Sequence, residues 1–100
     1  MALTTRVRKR YGDEFPIIHS AFLELAEPLI PTGLQQCIDD GAESIDVLPY
    51  FLNAGRHVTE DIPAIVNSFK ENTSVEINIK PHIGSSLLLI DVFSDLTLNK

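Results

Sequence analysis

The stretch Ser44-Ile45-Asp46-Val47-Leu48-Pro49-Tyr50-Phe51, with Leu52-Asn53-Ala54-Gly55-Arg56-His57 behind it and Val58 to Lys70 after that, decides the fold. Its first part is short, apolar and partly β-branched, and reads as a buried strand. Pro49 belongs at the C-terminal end of that strand, because a proline inside the ladder would remove a hydrogen bond. Residues 52–57 form a loop in which Gly55 can take a positive φ and turn the chain tightly. From about Val58 to Lys70 the period changes: Val58, Ile62, Ile65, Val66 and Phe69 share one helical face. Pro63 then lies in the first turn, where its missing N–H does no harm, and Glu60 and Asp61 suit the positive end of the helix. Strand, loop and helix in this order form the unit from which parallel sheets are built.

The alternation continues on both sides. Leu3, Val7 and Tyr11 give residues 2–11 one helical stripe. Pro16 opens a second apolar segment, Ile17 to Leu23, which reads as another buried strand. Ile30, Leu34, Cys37 and Ile38 mark a helix with Pro31 in its first turn, stopped at Gly41. Val75, Ile77 and Ile79 alternate with Glu76, Asn78 and Lys80, a half-exposed strand near a sheet edge. Leu87 through Leu98 reads as the last helix. Helices and strands in strict alternation predict an α/β domain with a parallel sheet and right-handed crossovers. Ligands of such sheets gather where strands end and helices begin. Here those places are residues 24–29, 52–58 and 80–85.

Composition narrows the function classes. One hundred residues allow a single domain, 1–100, since a domain takes roughly 100–200 residues. Basic residues number 8 against 14 acidic ones, a net charge of −6, which argues against a nucleic-acid partner. The longest apolar run, Leu87–Ile90, is far short of the roughly 20 residues of a membrane span. No apolar stretch follows the basic residues at 6–10, so a signal peptide is not read and the cytoplasm is the expected location. One cysteine, Cys37, rules out an internal disulfide and a multi-cysteine zinc site. No glycine-rich phosphate loop and no G-x-S-x-G elbow occur, so neither nucleotide binding nor α/β-hydrolase chemistry has support.

The three loops hold the candidate chemistry. Loop 24–29 carries Glu24 and Glu27, loop 52–58 carries His57, and loop 80–85 carries His82. Carboxylate and histidine at one sheet edge make a metal-site composition or an acid–base pair. Each also has a plainer reading: Glu24 and Glu27 as acids near a helix N-terminus, His57 as a helix-cap residue, His82 as a surface residue. His19 reads as a satisfied core or interface histidine and Cys37 as a small core side chain. Arg6 to Arg10 reads as a solvated helix face, and Asp39, Asp40 and Glu43 as turn and cap residues.

At these loops the sequence resembles the small sirohydrochlorin chelatases of the CbiX type. The matching blocks are Ala21-Phe22-Leu23-Glu24-Leu25-Ala26-Glu27-Pro28, Val47-Leu48-Pro49-Tyr50-Phe51-Leu52-Asn53-Ala54-Gly55-Arg56-His57-Val58, and Asp61-Ile62-Pro63. The resemblance implies a three-layer, chelatase-like half-domain with a mainly parallel sheet. It implies insertion of cobalt, or else iron or nickel, into a tetrapyrrole, by a homodimer or an oligomer with exchanged elements. His57 then corresponds to a metal-binding histidine, with Glu24 the better and Glu27 the second candidate for the site carboxylate. Asn53, Gly55, Arg56 and Lys80 are the expected substrate contacts; the last two would offset the protein's charge toward a polycarboxylate substrate. The family's first strand and its Gly-His-Gly-Ser-type loop, which carries another metal-binding histidine, have no counterpart in these residues, so the resemblance implies a member incomplete at the N-terminus. Segments 16–23 and 44–51 would then pair directly or leave a gap for a second chain. Three functions stay open on this reading. They are a chelatase working through His57 and Glu24, a non-catalytic homologue that binds metal or tetrapyrrole weakly, and an interaction module that recruits a partner by its sheet edges.

Overall fold

A computed structural model describes residues 2–98. The helical stripes fold as helices: α1 (Ala2–Tyr11), α2 (Ile30–Asp39), α3 (Ile62–Lys70) and α4 (Leu89–Thr97). Two strands, β1 (Ser44–Val47) and β2 (Glu76–Ile79), pair in parallel with α3 as their crossover. The register sets Ile45 opposite Ile77 and Val47 opposite Ile79. Period 2 then sends Ile45 and Ile77 to one face, while Ser44, Asp46, Glu76 and Asn78 remain exposed on the other. The core lies on the apolar face, where Leu34 of α2 and Ile62 and Val66 of α3 close over Ile45 and Ile77. The α/β class and the parallel sheet therefore follow from the patterning of residues 44–79.

This core is small, so each member matters. Ile77 is 2% exposed and Val66 1%. Ile77→Ala is expected to lower unfolding stability by about 3 kcal/mol, from lost transfer energy and the cavity left behind. A shift of the urea midpoint at unchanged slope checks this.

The strand expected over residues 16–23 does not form. Phe22 makes one isolated parallel bridge to Leu29, and its N–H donates to the Pro28 carbonyl at 2.8 Å. Apolarity in Ile17 to Leu23 raises the expectation of a buried strand, but these residues are at most half-buried and Ala21 is exposed. The buried Gly33 of α2 approaches so closely that a Cβ there would stand 2.7 Å from the Ala21 Cβ. The expected direct pairing with residues 44–51 is likewise absent among the described residues; β1 takes β2 as its partner. The segment is held by side chains instead. Arg8 Nε donates to the Ile18 carbonyl at 2.6 Å, and His19 Nε2 meets Asp40 Oδ2 at 2.5 Å. His19 is thus satisfied as expected, whereas Arg8 and Asp40 do more than face solvent and cap a helix.

Two helix starts also differ from expectation. Ser86 Oγ takes the Leu88 N–H at 3.2 Å, a local turn that delays the last helix to Leu89. Before α3, residues His57–Asp61 form one π-helical turn, with the Ile62 N–H reaching back to the His57 carbonyl. Pro63 explains it: it has no N–H for the carbonyl four residues back, and its ring crowds that carbonyl, so a wider turn relieves both.

Candidate functional site

Parallel pairing brings the ends of β1 and β2 to one edge, and the backbone stitches their loops together beyond the strands. The Lys80 N–H donates to the Val47 carbonyl at 2.8 Å, Ile83 to Pro49 at 3.0 Å, and Gly84 to Phe51 at 2.9 Å. Residues 80–84 thus carry the pairing of the two segments past the strand ends, against residues 47–51. Gly84 is the tightest point. A Cβ there would stand 1.7 Å from the Leu52 carbonyl oxygen and 2.8 Å from the Leu52 Cα. The single turn Ile83–Ser85 follows, with the His82 carbonyl accepting from Ser85 N at 3.0 Å and Ser85 Oγ at 2.6 Å.

His57 opens the π-helical turn at this edge. Its Nδ1 lies 2.8 Å from Asp61 Oδ2, and its ring centroid lies 5.7 Å from that of Phe51. Phe51 packs against the core, so the imidazole leans on a fixed neighbour. The His57 side chain is still 50% exposed. A carboxylate accepts, so for a neutral imidazole this contact calls for the proton on Nδ1, which leaves the Nε2 lone pair for another partner. A neutral imidazole in this state can ligate a metal or take up a proton. The histidine was legible in the sequence, but its partner was not. Asp61 was expected only to serve the helix dipole, although the H-x-x-x-D spacing places the two side chains on one face.

The other candidates fall into two groups. Asn53, Gly55, Arg56 and Lys80 are all exposed at the same sheet edge. Arg56 Nε pairs with Glu60 Oε2 at 3.0 Å. Gly55 does not take the expected positive φ; its carbonyl starts the turn instead, accepting from Val58 N at 3.1 Å and Thr59 N at 3.0 Å. Glu24 and Glu27 sit on a separate exposed loop, pinned at its ends by Phe22 and Leu29. Within it Leu25 has φ +67° and is 99% exposed, a left-handed position unusual for a leucine. Among the described residues neither glutamate pairs with His57, and no three His, Cys, Asp or Glu side chains converge as a metal-binding group. Cys37 packs against the core, and burial, then the Asp40 charge, push its thiol up, which keeps it protonated.

Comparison with known proteins places this arrangement. The family model described as CbiX matches residues 1–99. The chain is 38% identical over 82 residues to the chloroplastic sirohydrochlorin ferrochelatase of Arabidopsis thaliana, covering 81% of this chain and 36% of that protein. It is 37% identical over 70 residues to the sirohydrochlorin cobaltochelatase of Methanocaldococcus jannaschii, covering 70% and 48%. The chain thus spans about half or less of the length of these two relatives. Among solved structures, it is similar to a crystal structure described as a cobalamin biosynthesis CbiX protein from Marinobacter aquaeolei. The TM-score is 0.70 and the identity 28%, over 97% of this chain and 83% of that one. It is also similar to the sirohydrochlorin chelatase SirB of Bacillus subtilis in complex with cobalt, with a TM-score of 0.67 and 25% identity, over 99% and 46%. A model matched over nearly the whole chain, and the same fold in both structures, make this chain a member of the CbiX family of sirohydrochlorin chelatases.

Proposed function

We propose that the protein inserts a divalent metal, cobalt first and iron or nickel as alternatives, into sirohydrochlorin, with His57 as metal ligand and proton acceptor. The metal is substrate here, and no organic cofactor takes part. The observation that carries this reading is the His57 imidazole, fixed at a sheet edge with Nε2 unencumbered by its partner, on the fold of a chelatase family. Insertion requires two pyrrole protons to leave and the metal to lose water. A neutral imidazole serves both needs. Glu24, with Glu27 second, is the carboxylate this reading assigns to the site, from the separate loop 24–29. Asn53 and Gly55 line the substrate face. Arg56 and Lys80 meet the carboxylates of the tetrapyrrole, which a chain of net charge −6 would otherwise repel.

The functional unit in this proposal is a homodimer or an exchanged oligomer, working in the cytoplasm. Support for self-association comes from α4, which has no buried side chain, and from the two leucines just before it. Leu87, Leu88, Ile90, Phe93 and Leu96 are all at least 66% exposed. Among the described residues no helix is long and apolar enough to cross a membrane. Light scattering is expected to give at least twice the mass of one chain; the mass of one chain would overturn the dimer. The same face favours a second reading, an interaction module without turnover.

Mixing the protein with sirohydrochlorin and cobalt and following the absorbance spectrum tests the main reading. A rate above the metal-only control is expected, and a rate equal to that control overturns it. The Arg56–Glu60 pair gives a further expected outcome. Both side chains are mostly exposed, at 84% and 62%, so the pair is weak and competes with substrate carboxylates. Glu60→Gln is expected to lower the KM for the tetrapyrrole by roughly two- to fivefold, the range an exposed pair commands, with kcat little changed.

A further inference from the structure

We infer that Asp61 is a positioning residue, which fixes the tautomer and direction of the His57 imidazole so that Nε2 is the atom offered to the metal. This rests on the proposed role of His57 and goes beyond it to the group that makes that role possible. Asp61 Oδ2 lies 2.8 Å from His57 Nδ1. A histidine that binds metal through one nitrogen commonly gives the other N–H to a carboxylate, and that partner orients the ring and raises its basicity. The fold builds the pair from a local device. Pro63 has no N–H for the Thr59 carbonyl, and just before it the chain makes a π turn over His57–Asp61, closed by the Ile62 N–H on the His57 carbonyl. Both members of the pair lie inside that turn. Phe51, 5.7 Å from the imidazole, limits the ring's other motions. Asp61 itself is 38% exposed, so it is no buried charge needing a partner for its own sake. In the same turn Arg56 is engaged by Glu60, while Asp61 pairs with His57.

The test has a readout that does not depend on turnover. In the metal-free full chain labelled with nitrogen-15 at histidine, long-range proton–nitrogen correlation reports the tautomer of His57. The wild-type protein is expected to hold the proton on Nδ1. Asp61→Ala is expected to move it to the Nε2–H form that free histidine favours, with the circular dichroism unchanged. Cobalt titration without tetrapyrrole should then show affinity reduced by roughly 10–100-fold, the usual effect of losing such a partner. Asp61→Glu, which restores a carboxylate within reach, should recover most of the affinity and the Nδ1–H form. A wild-type His57 protonated at Nε2 overturns the inference. So does an Asp61→Ala affinity equal to wild type while His57→Ala loses binding. If His57→Ala also binds cobalt as wild type does, the ligand assignment of His57 is what fails.

Discussion

Gly84→Ala is expected to detach the site loop and to cost about 3 kcal/mol or more, from backbone overlap and the loss of neighbouring hydrogen bonds. The added Cβ would fall 1.7 Å from the Leu52 carbonyl oxygen and 2.4 Å from its carbon. Those are backbone atoms, so no side-chain rotation can make room. One chain must move from the other, which breaks the Gly84 N–H bond to Phe51 and strains that of Ile83 to Pro49. Natural domains are stable by only about 5–15 kcal/mol, so a loss of this size reaches the whole fold. Phe51, which touches both the core and the His57 ring, moves with the loop. The variant should therefore show a lower denaturation midpoint together with altered His57 resonances. A Gly84→Ala protein with wild-type stability would mean that residues 80–84 do not hold the loop.

How much of this was readable in the residues depends on which physical signal each feature sends. Ile45, Ile77, Ile62 and Val66 announce themselves by periodicity, and they form the core. The same signal misleads over Ile17 to Leu23, because apolarity reports burial without saying whether a ladder or a helix provides it. Here neither closes over the segment: its residues are at most half-buried and Ala21 is exposed, although Gly33 comes close to it. The π turn could be anticipated only as a proline near a helix start; that Pro63 would widen the turn depends on hydrogen bonds that periodicity does not encode. Gly84 was visible as a loop glycine, yet its reason is a close approach to Leu52, thirty-two positions away, and not a turn. At the site, His57 stood out by residue type and by family resemblance. Asp61 did not, since an acid at a helix start has a sufficient reason in the dipole. Arg8, His19 and Asp40 come together from three parts of the chain, a contact that no local pattern signals.

His57→Ala is expected to lower cobalt insertion to the metal-only rate and to leave the fold intact. The two effects separate because of where the side chain sits. It is half exposed, so its removal opens no cavity, and exposed positions usually change stability by less than about 0.5 kcal/mol. Asp61 loses its partner but stays open to water, which prevents a large desolvation penalty. The reaction, by contrast, loses both a metal ligand and a proton acceptor. Proton transfer by a positioned group alone contributes roughly 10²–10⁴-fold, enough to bring the rate down to background. Glu24→Gln and Glu27→Gln grade the rest of the site: if loop 24–29 supplies the carboxylate, Glu24→Gln slows insertion more than Glu27→Gln, and neither alters the His57 tautomer. Parallel thermal melts and absorbance assays of the three variants check the argument. A His57→Ala protein that melts as wild type and still inserts cobalt at the wild-type rate would remove the imidazole from the mechanism and leave the loop carboxylates to account for it.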